Sequence, residues 1–275
     1  MNIDLHCHSI ASDGLLAPDA LAARAADQGV TVLALTDHDE IVGLAQAREA
    51  AEARGVRFVD GVEISVNWAD ITVHVVGLQI DPRNAALSAG LETVRSSRAR
   101  RAEKIGEALG AAGIPDSFAG ALACVGNPDV ISRTHFARFL VKQGYARDVR
   151  SVFHHYLVKG KPGYVPHQWA ALADAVGWIR GSGGVAVIAH PGRYKLSPPE
   201  MRRLLSEFRD CGGTGIEVVT GSHAPEQYGV YARFAREFGL LASRGSDFHG
   251  AGESKAELGS LPPLPQDLKP VWHDW

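Results

Sequence analysis

The segment Ile3-Asp4-Leu5-His6-Cys7-His8 forms the first predicted β-strand of the chain. In a strand, side chains two residues apart point to the same face, so His6 and His8 should face the same way. Two imidazoles at this spacing, at the end of a strand, can reach one metal ion, and Asp13 follows in the loop as an oxygen ligand. The pattern alone is also compatible with an ordinary core or surface strand, so its meaning depends on the rest of the chain.

Beyond this strand, short β-type segments alternate with longer segments of helical periodicity. The predicted strands cover residues 3–8, 32–36, 58–66, 73–80, 185–190, 215–220 and 240–243, and the predicted helices cover residues 18–28, 41–54, 198–210 and 225–238. This order predicts an α/β fold with parallel strands and crossover helices, either a barrel or an open doubly wound sheet.

Residues 84–165 interrupt the alternation, because they are rich in Ala and Arg, have helical spacing and contain turn signals such as Gly126-Asn127-Pro128. They predict a helical insertion that forms part of the substrate site, with residues 1–83 and 166–275 forming the barrel domain. A stripe of basic residues on the first helix of the insertion is expected to be a solvated face. It consists of Arg95, Arg98, Arg100, Arg101 and Lys104.

The composition limits the possible partners and location of the protein. The 28 basic and 31 acidic residues nearly cancel, which disfavours a long nucleic-acid duplex but allows a small anionic substrate. Polar residues follow Met1, and no apolar run approaches the roughly 18 residues that a membrane span needs. We therefore expect a cytoplasmic protein with no membrane partner, and the oligomeric state stays open.

Further histidines and carboxylates follow or interrupt later strands. Thr36-Asp37-His38-Asp39 follows the second strand, and Asp39 suits the cap of a helix near residue 41. Glu63 lies inside an apolar strand, where an unpaired carboxylate is costly, so a metal ion or a basic partner should accompany it. His74 interrupts the next apolar run in the same manner. His190 ends the buried strand at 185–190, and Ser246-Asp247-Phe248-His249 repeats the spacing of two. Together these signals predict a centre with several metal ions.

With these motifs in place, the sequence resembles the PHP (polymerase and histidinol phosphatase) family. The matching segments are Asp4-Leu5-His6-Cys7-His8-Ser9, Ala34-Leu35-Thr36-Asp37-His38-Asp39, Gly61-Val62-Glu63, the strand with His74, Ala189-His190-Pro191-Gly192 and Ser246-Asp247-Phe248-His249. The resemblance implies a distorted (β/α)7 TIM-like barrel with three divalent metal ions at its C-terminal edge, Mn2+ first, with Fe2+ or Zn2+ as alternatives.

The resemblance also implies a ligand set. His6, His8, Glu63 and Asp247 would surround one ion, Asp13, His38 and His249 a second, and Glu63, His74 and His190 a third. Glu63 would bridge ions, and we assign Glu63, Asp247 and His249 to catalysis. The chemistry would be attack of a metal-activated water on a phosphoester, which agrees with the lack of a GxSxG motif or a convincing Cys/His nucleophile.

Two segments of the insertion, Ser132-Arg133-Thr134-His135-Phe136-Ala137 and Gly160-Lys161-Pro162-Gly163-Tyr164, together with the later Gly192-Arg193-Tyr194, resemble the branch that includes 3′,5′-nucleoside bisphosphate phosphatases and 5′-acting oligoribonucleotidases. Arg133 and Arg193 are candidates to bind phosphate, and His135 and His223 are candidates to approach the substrate. The leading prediction is release of the 3′-phosphate from nucleoside 3′,5′-bisphosphates. The alternatives are a phosphatase for histidinol phosphate or another small metabolite, a 5′-3′ exoribonuclease on short RNA, and a non-catalytic nucleotide-binding module.

Overall fold

The computed structural model describes residues 1–275 as an α/β fold with eight strands and nine α-helices. The strands are β1 (Ile3–Asp4), β2 (Val32–Leu35), β3 (Arg57–Trp68), β4 (Ile71–Leu78), β5 (Ala170–Ala171), β6 (Val185–Ile188), β7 (Gly215–Thr220) and β8 (Leu241–Gly245). The helices are α1 (Pro18–Asp27), α2 (Leu44–Glu52), α3 (Ala85–Ala111), α4 (Ser117–Leu122), α5 (Arg133–Lys142), α6 (Val149–Val152), α7 (Leu172–Gly181), α8 (Pro198–Asp210) and α9 (Pro225–Phe238).

The sheet closes into a barrel. Its strands follow the order β1-β2-β3-β4-β6-β7-β8, while the short β5 pairs with β3 off this path. The chain around β8 returns to the chain around β1, because the Leu5 N–H donates to the Arg244 carbonyl (3.0 Å) and the Asp247 N–H donates to the His6 carbonyl (2.8 Å). The predicted TIM-like barrel is confirmed.

One strand departs from the expected parallel arrangement. β4 is antiparallel to both of its neighbours, β3 and β6. Only Ala69 and Asp70 separate β3 from β4, and both have positive φ (44° and 63°), as in a tight hairpin turn. Parallel strands need a crossover of a dozen or more residues, so a connection of two residues requires a hairpin.

Side chains on the two faces of the strands lie in two different hydrophobic clusters. Residues such as Val62 and Ile64 of β3 lie in the main cluster with residues of the surrounding helices. Val59 of β3, Val76 of β4 and Val187 of β6 lie in a smaller cluster that fills one end of the barrel interior. Because side chains alternate along a strand, the face of β3 that carries Val59 also carries Glu63, four residues on. The apolar end of the interior therefore continues into a polar end.

The helices α3 to α6 have a core of their own beside the barrel. Leu87 and Leu91 of α3 pack in the main cluster, whereas Ile105 and Leu109 pack with Phe136 and other residues of the later helices. Close packing of α3 on the barrel uses Gly90, where an added Cβ would meet the Trp178 ring at 2.4 Å. No helix of the protein is both long enough and apolar enough to cross a membrane.

Candidate metal centre and substrate cleft

The polar end of the barrel interior gathers all nine predicted metal ligands. Their side-chain donor atoms form four overlapping groups, each within 4.8 Å. The groups are His8, Asp13, His38 and His249; His6, His190 and Asp247; His6, His8 and Glu63; and His38, Glu63 and His74. The residues lie within or after six different strands, so only the closed barrel brings them together.

Glu63 lies at the centre of these groups and is completely buried. Its Oε1 is 2.9 Å from His74 Nδ1 and 2.8 Å from His190 Nε2. Its Oε2 is 3.3 Å from His6 Nε2, 3.3 Å from His8 Nε2 and 3.0 Å from His38 Nδ1. Burial alone would raise the pKa of Glu63, but the surrounding histidines, led by His38 and His74, hold it well below its usual range. The carboxylate therefore stays ionised among five imidazoles.

The donor set fits divalent metal ions. Six buried side-chain atoms in the cluster have no hydrogen-bond partner: His8 Nδ1, Asp13 Oδ1, His38 Nδ1, Glu63 Oε2, His190 Nδ1 and Asp247 Oδ1. Unpartnered buried polar atoms are costly, and lone pairs that converge without hydrogen-bond donors are satisfied by cations. Mixed imidazole and carboxylate ligands suit first-row transition metals.

Glu217 on β7 belongs to the centre, although our sequence interpretation did not include it. The His6 Nδ1–H donates to Glu217 Oε1 (2.8 Å), and the His190 N–H donates to Oε2 (2.5 Å). With Nδ1 of His6 turned to Glu217, its Nε2 faces Glu63 Oε2 (3.3 Å) and His8 Nε2 (3.1 Å). The available signal was the one used for Glu63, a single carboxylate inside an apolar strand.

We expect Glu217→Gln to weaken metal affinity by about 10–100-fold, because carboxylates that orient a ligating histidine typically contribute that much. The amide would still fill the space but would hold the His6 tautomer less firmly. Competition for Mn2+ with a chelating indicator measures the change. The exposed Glu226 on α9 supplies the control, and equal affinity of the Glu226→Gln and Glu217→Gln variants would contradict this role.

The segment around His38 corrects one prediction. Asp39 does not cap a helix, because α2 begins at Leu44 without a side-chain cap. Asp39 is fully buried with φ of 53°, and its carboxylate accepts from the Ser65 N–H (2.8 Å) and from Arg98 Nε (2.9 Å). The positive φ turns the side chain back toward β3, where it pairs with a cation from α3.

A cleft of about 100 Å³ opens above these four candidate metal-binding groups. Its walls include Asp13, His38, His74 and His249 from the barrel, and Arg98, Arg101, Arg133, Arg193, Phe153 and Trp169. The expectation of a solvated basic face on α3 is therefore wrong for Arg98 and Arg101, although Arg100 and Lys104 are exposed as expected. The error arose because periodicity shows which residues share a face, but not that α3 lies along the barrel opening.

Two arginines of the cleft have no acidic partner. Arg101 Nε donates to the Val165 carbonyl (3.2 Å), and Arg133 Nη1 donates to the Leu157 carbonyl (3.3 Å). Burial and the nearby charges of Arg133 and Arg98 lower the pKa of Arg101 to about 9. By contrast, Arg193 has Asp247 Oδ2 at 3.4 Å. Arg101 and Arg133 thus form a positive wall that lacks a counter-charge within the protein.

His135 and His223 lie outside the cleft walls. His135 is buried, and its Nδ1 accepts from the Ser132 N–H (3.0 Å) at the start of α5. His223 donates from Nδ1 to the Val218 carbonyl (3.2 Å) and accepts at Nε2 from the Gly192 N–H (2.9 Å). Burial lowers the pKa of both imidazoles to about 4, so both are neutral. His223 therefore fixes the loop that carries Arg193.

Curated relatives align along almost the entire chain. It is 52% identical over 273 residues to a 3′,5′-nucleoside bisphosphate phosphatase from Chromobacterium violaceum, covering 99% of this chain and 96% of the relative. It is 41% identical to the 5′-3′ exoribonuclease Rnm of Escherichia coli, covering 99% and 93% of the two chains.

Solved structures share the fold and the helical region. An amidohydrolase from Chromobacterium violaceum, solved with sulfate and without metal, superposes with a TM-score of 0.97 at 52% identity and covers 100% of this chain and 95% of its own. A structure from Bifidobacterium adolescentis described as a metal-dependent phosphoesterase has a TM-score of 0.83 at 29% identity, with 98% and 93% coverage. The PHP domain family matches residues 4–221. The resemblance seen in the sequence motifs is thereby confirmed: the chain belongs to the PHP domain family.

Proposed function

We propose that this protein is a metal-dependent phosphoesterase that removes the 3′-phosphate of nucleoside 3′,5′-bisphosphates and leaves a nucleoside 5′-monophosphate. The enzyme class predicted from the sequence is confirmed by the family and its relatives. The substrate is supported by one observation in particular. The cleft has cationic groups without partners, Arg101 and Arg133, as well as the metal-ligand groups. A substrate with two separate phosphates satisfies both.

The nine clustered side chains are our proposed ligands for three divalent ions, with Mn2+ preferred over Fe2+ and Zn2+. When bound, such ions supply an activated water and neutralise charge on the reacting phosphate. Glu63, Asp247 and His249 hold this centre in the catalytic arrangement. The Ser222 hydroxyl donates to Asp247 Oδ2. The other carboxylate oxygen of Asp247, Oδ1, lies 3.5 Å from His6 Nε2 and 3.4 Å from His8 Nε2.

The proposed substrate contacts come from both the barrel and residues 84–165, which we propose to be an insertion into the barrel domain of residues 1–83 and 166–275. Arg101 and Arg133 bind the 5′-phosphate, since guanidinium forks match phosphate oxygens. Arg193 lies beside Asp247 and binds the reacting phosphate. His223 acts indirectly through the Gly192 N–H, and His135 acts by fixing the start of α5.

The alternatives fit the cleft less well. Histidinol phosphate carries one phosphate and an ammonium group, which the positive wall of Arg101 and Arg133 would repel. A module without activity would not need a complete set of converging lone pairs in a buried centre. Cleavage of short RNA stays a second candidate, because relatives at about the same coverage are named exoribonucleases.

A substrate panel with Mn2+ present tests the proposal. Adenosine 3′,5′-bisphosphate should release phosphate and yield only the 5′-monophosphate, while histidinol phosphate should react poorly. A 5′-phosphorylated RNA trinucleotide in the same panel measures the exoribonuclease alternative by its release of mononucleotides. Absence of phosphate release from the bisphosphate would contradict the proposal. Equal rates of phosphate release from the bisphosphate and from histidinol phosphate would also contradict it.

We expect Arg133→Met to lower kcat/KM for adenosine 3′,5′-bisphosphate by about 10–100-fold, because hydrogen bonds to charged groups contribute roughly 1.5–3 kcal/mol. Adenosine 3′-monophosphate lacks the 5′-phosphate, so its kcat/KM should change little. Arg147→Met, at an exposed arginine in the same region, is the matched control. A similar loss for both substrates would mean that Arg133 supports the fold rather than the 5′-phosphate.

A further inference from the structure

A second cavity, of about 560 Å³, lies along the outer side of α3, and we call it the α3 groove. Its lining residues are Ser97, Arg100, Arg101, Glu103, Lys104, Glu107, Val165, Pro166, His167 and Gln168. Ser97, Arg101 and Lys104 are three to four residues apart and so share one face of the helix. This row of side chains is hydroxylic and cationic, and Glu103 and Glu107 line the groove beside it.

The groove meets the substrate cleft at Arg101, which lines both cavities. The Arg101 guanidinium carbon lies 5.3 Å from the centre of the Trp169 ring, and Trp169 is part of the cleft wall. His167 continues this wall into the groove, because its ring lies 4.1 Å from the Trp169 ring and its Nε2 is 2.9 Å from Ser97 Oγ. Arg101 therefore stands at the boundary between the cleft and the α3 groove.

The charges of the α3 groove point to a particular kind of occupant. Arg100 and Lys104 are exposed and form no ion pair, and both lie within one helical turn of Arg101. They add positive potential just beyond the proposed 5′-phosphate position. Glu103 and Glu107 also line the groove and can accept hydrogen bonds from neutral hydroxyl groups. Three basic and two acidic side chains line the groove, and this small excess of positive charge favours one further phosphate close to Arg101 over a long polyanion.

We propose that the α3 groove receives a second phosphate joined to the 5′-phosphate, so that nucleoside 3′-phosphate 5′-diphosphates are also substrates. The inference rests on the proposed function, because it uses the same centre and the same position for the 5′-phosphate. In the reaction, water adds to the 3′-phosphorus and the bond to O3′ breaks. The products are inorganic phosphate and a nucleoside 5′-diphosphate with a free 3′-hydroxyl, and the anhydride bond stays intact.

The test compares adenosine 3′-phosphate 5′-diphosphate with adenosine 3′,5′-bisphosphate. The wild-type enzyme should hydrolyse both with kcat/KM values within about fivefold. Arg100→Gln/Lys104→Gln should lower kcat/KM for the diphosphate by about fivefold more than for the bisphosphate, as expected for two exposed charge contacts. Arg83→Gln/Arg147→Gln removes two charges at exposed positions away from the groove and should not change the ratio.

The outcomes separate this inference from the proposed function. Hydrolysis of the bisphosphate without hydrolysis of the diphosphate would overturn the inference and leave the proposed function intact. An equal loss for both substrates in Arg100→Gln/Lys104→Gln would also overturn it, because the groove would then act only through its general potential. If neither compound released phosphate, the proposed function would fail and the inference with it.

Discussion

Glu63→Gln should lower kcat for adenosine 3′,5′-bisphosphate by about a thousandfold or more, because metal-ion catalysis contributes several kcal/mol and each 1.4 kcal/mol is a factor of ten. The substitution keeps the size of the side chain but removes its charge. In the native protein both carboxylate oxygens lie within 3.3 Å of imidazole nitrogens. One oxygen would become an amide NH2, which cannot donate a lone pair to a metal ion.

The loss should appear in metal content as well as in turnover. The variant purified with Mn2+ should bind less metal per chain than the wild type, as measured by inductively coupled plasma mass spectrometry, while its circular dichroism spectrum stays native. Glu40 provides the control, since it is buried but lies outside the ligand groups. Glu40→Gln should keep full metal content. Turnover of Glu63→Gln near the wild-type rate would show that Glu63 does not hold the catalytic centre.

The residues of this centre could be predicted from the sequence because strand geometry is local and regular. The spacing of two in His6 and His8 was sufficient to predict a shared direction, even though β1 ends at Asp4 and these histidines follow it. Their Nε2 atoms lie 3.1 Å apart. A buried carboxylate in an apolar strand identified Glu63, and the same rule applied to β7 would have identified Glu217.

The substrate side of the site was less predictable, because it depends on how separate elements pack. The hairpin of β3 and β4 could have been recognised from the few residues between two apolar runs. The roles of Arg98 and Arg101 could not, since helical periodicity gives no information about which surface a helix contacts. A basic stripe on an insertion has the same pattern whether water or a barrel opening faces it.

The pair of Arg98 and Asp39 leads to the largest expected effect on stability. Arg98 is 5% exposed and Asp39 is fully buried, and Arg98 also donates to Ser65 Oγ (3.1 Å). Arg98→Met should lower the free energy of unfolding by about 3–5 kcal/mol, because removing one partner leaves the other charge buried without compensation. Urea unfolding followed by circular dichroism measures this loss. Arg100→Met, at an exposed position on the same helix, should change stability by less than about 0.5 kcal/mol.

A double variant distinguishes the ion pair from simple packing. In Arg98→Met/Asp39→Asn the uncompensated charge is gone, so much of the lost stability should return, whereas independent effects would add. The pair also connects α3 to two ligand segments, since Asp39 follows His38 and its carboxylate binds Ser65, two residues after Glu63. Arg98→Met should therefore weaken Mn2+ binding at temperatures where the variant is still folded. Unchanged metal affinity in the folded variant would restrict the pair to a role in stability, and the position of α3 would then matter only for the substrate.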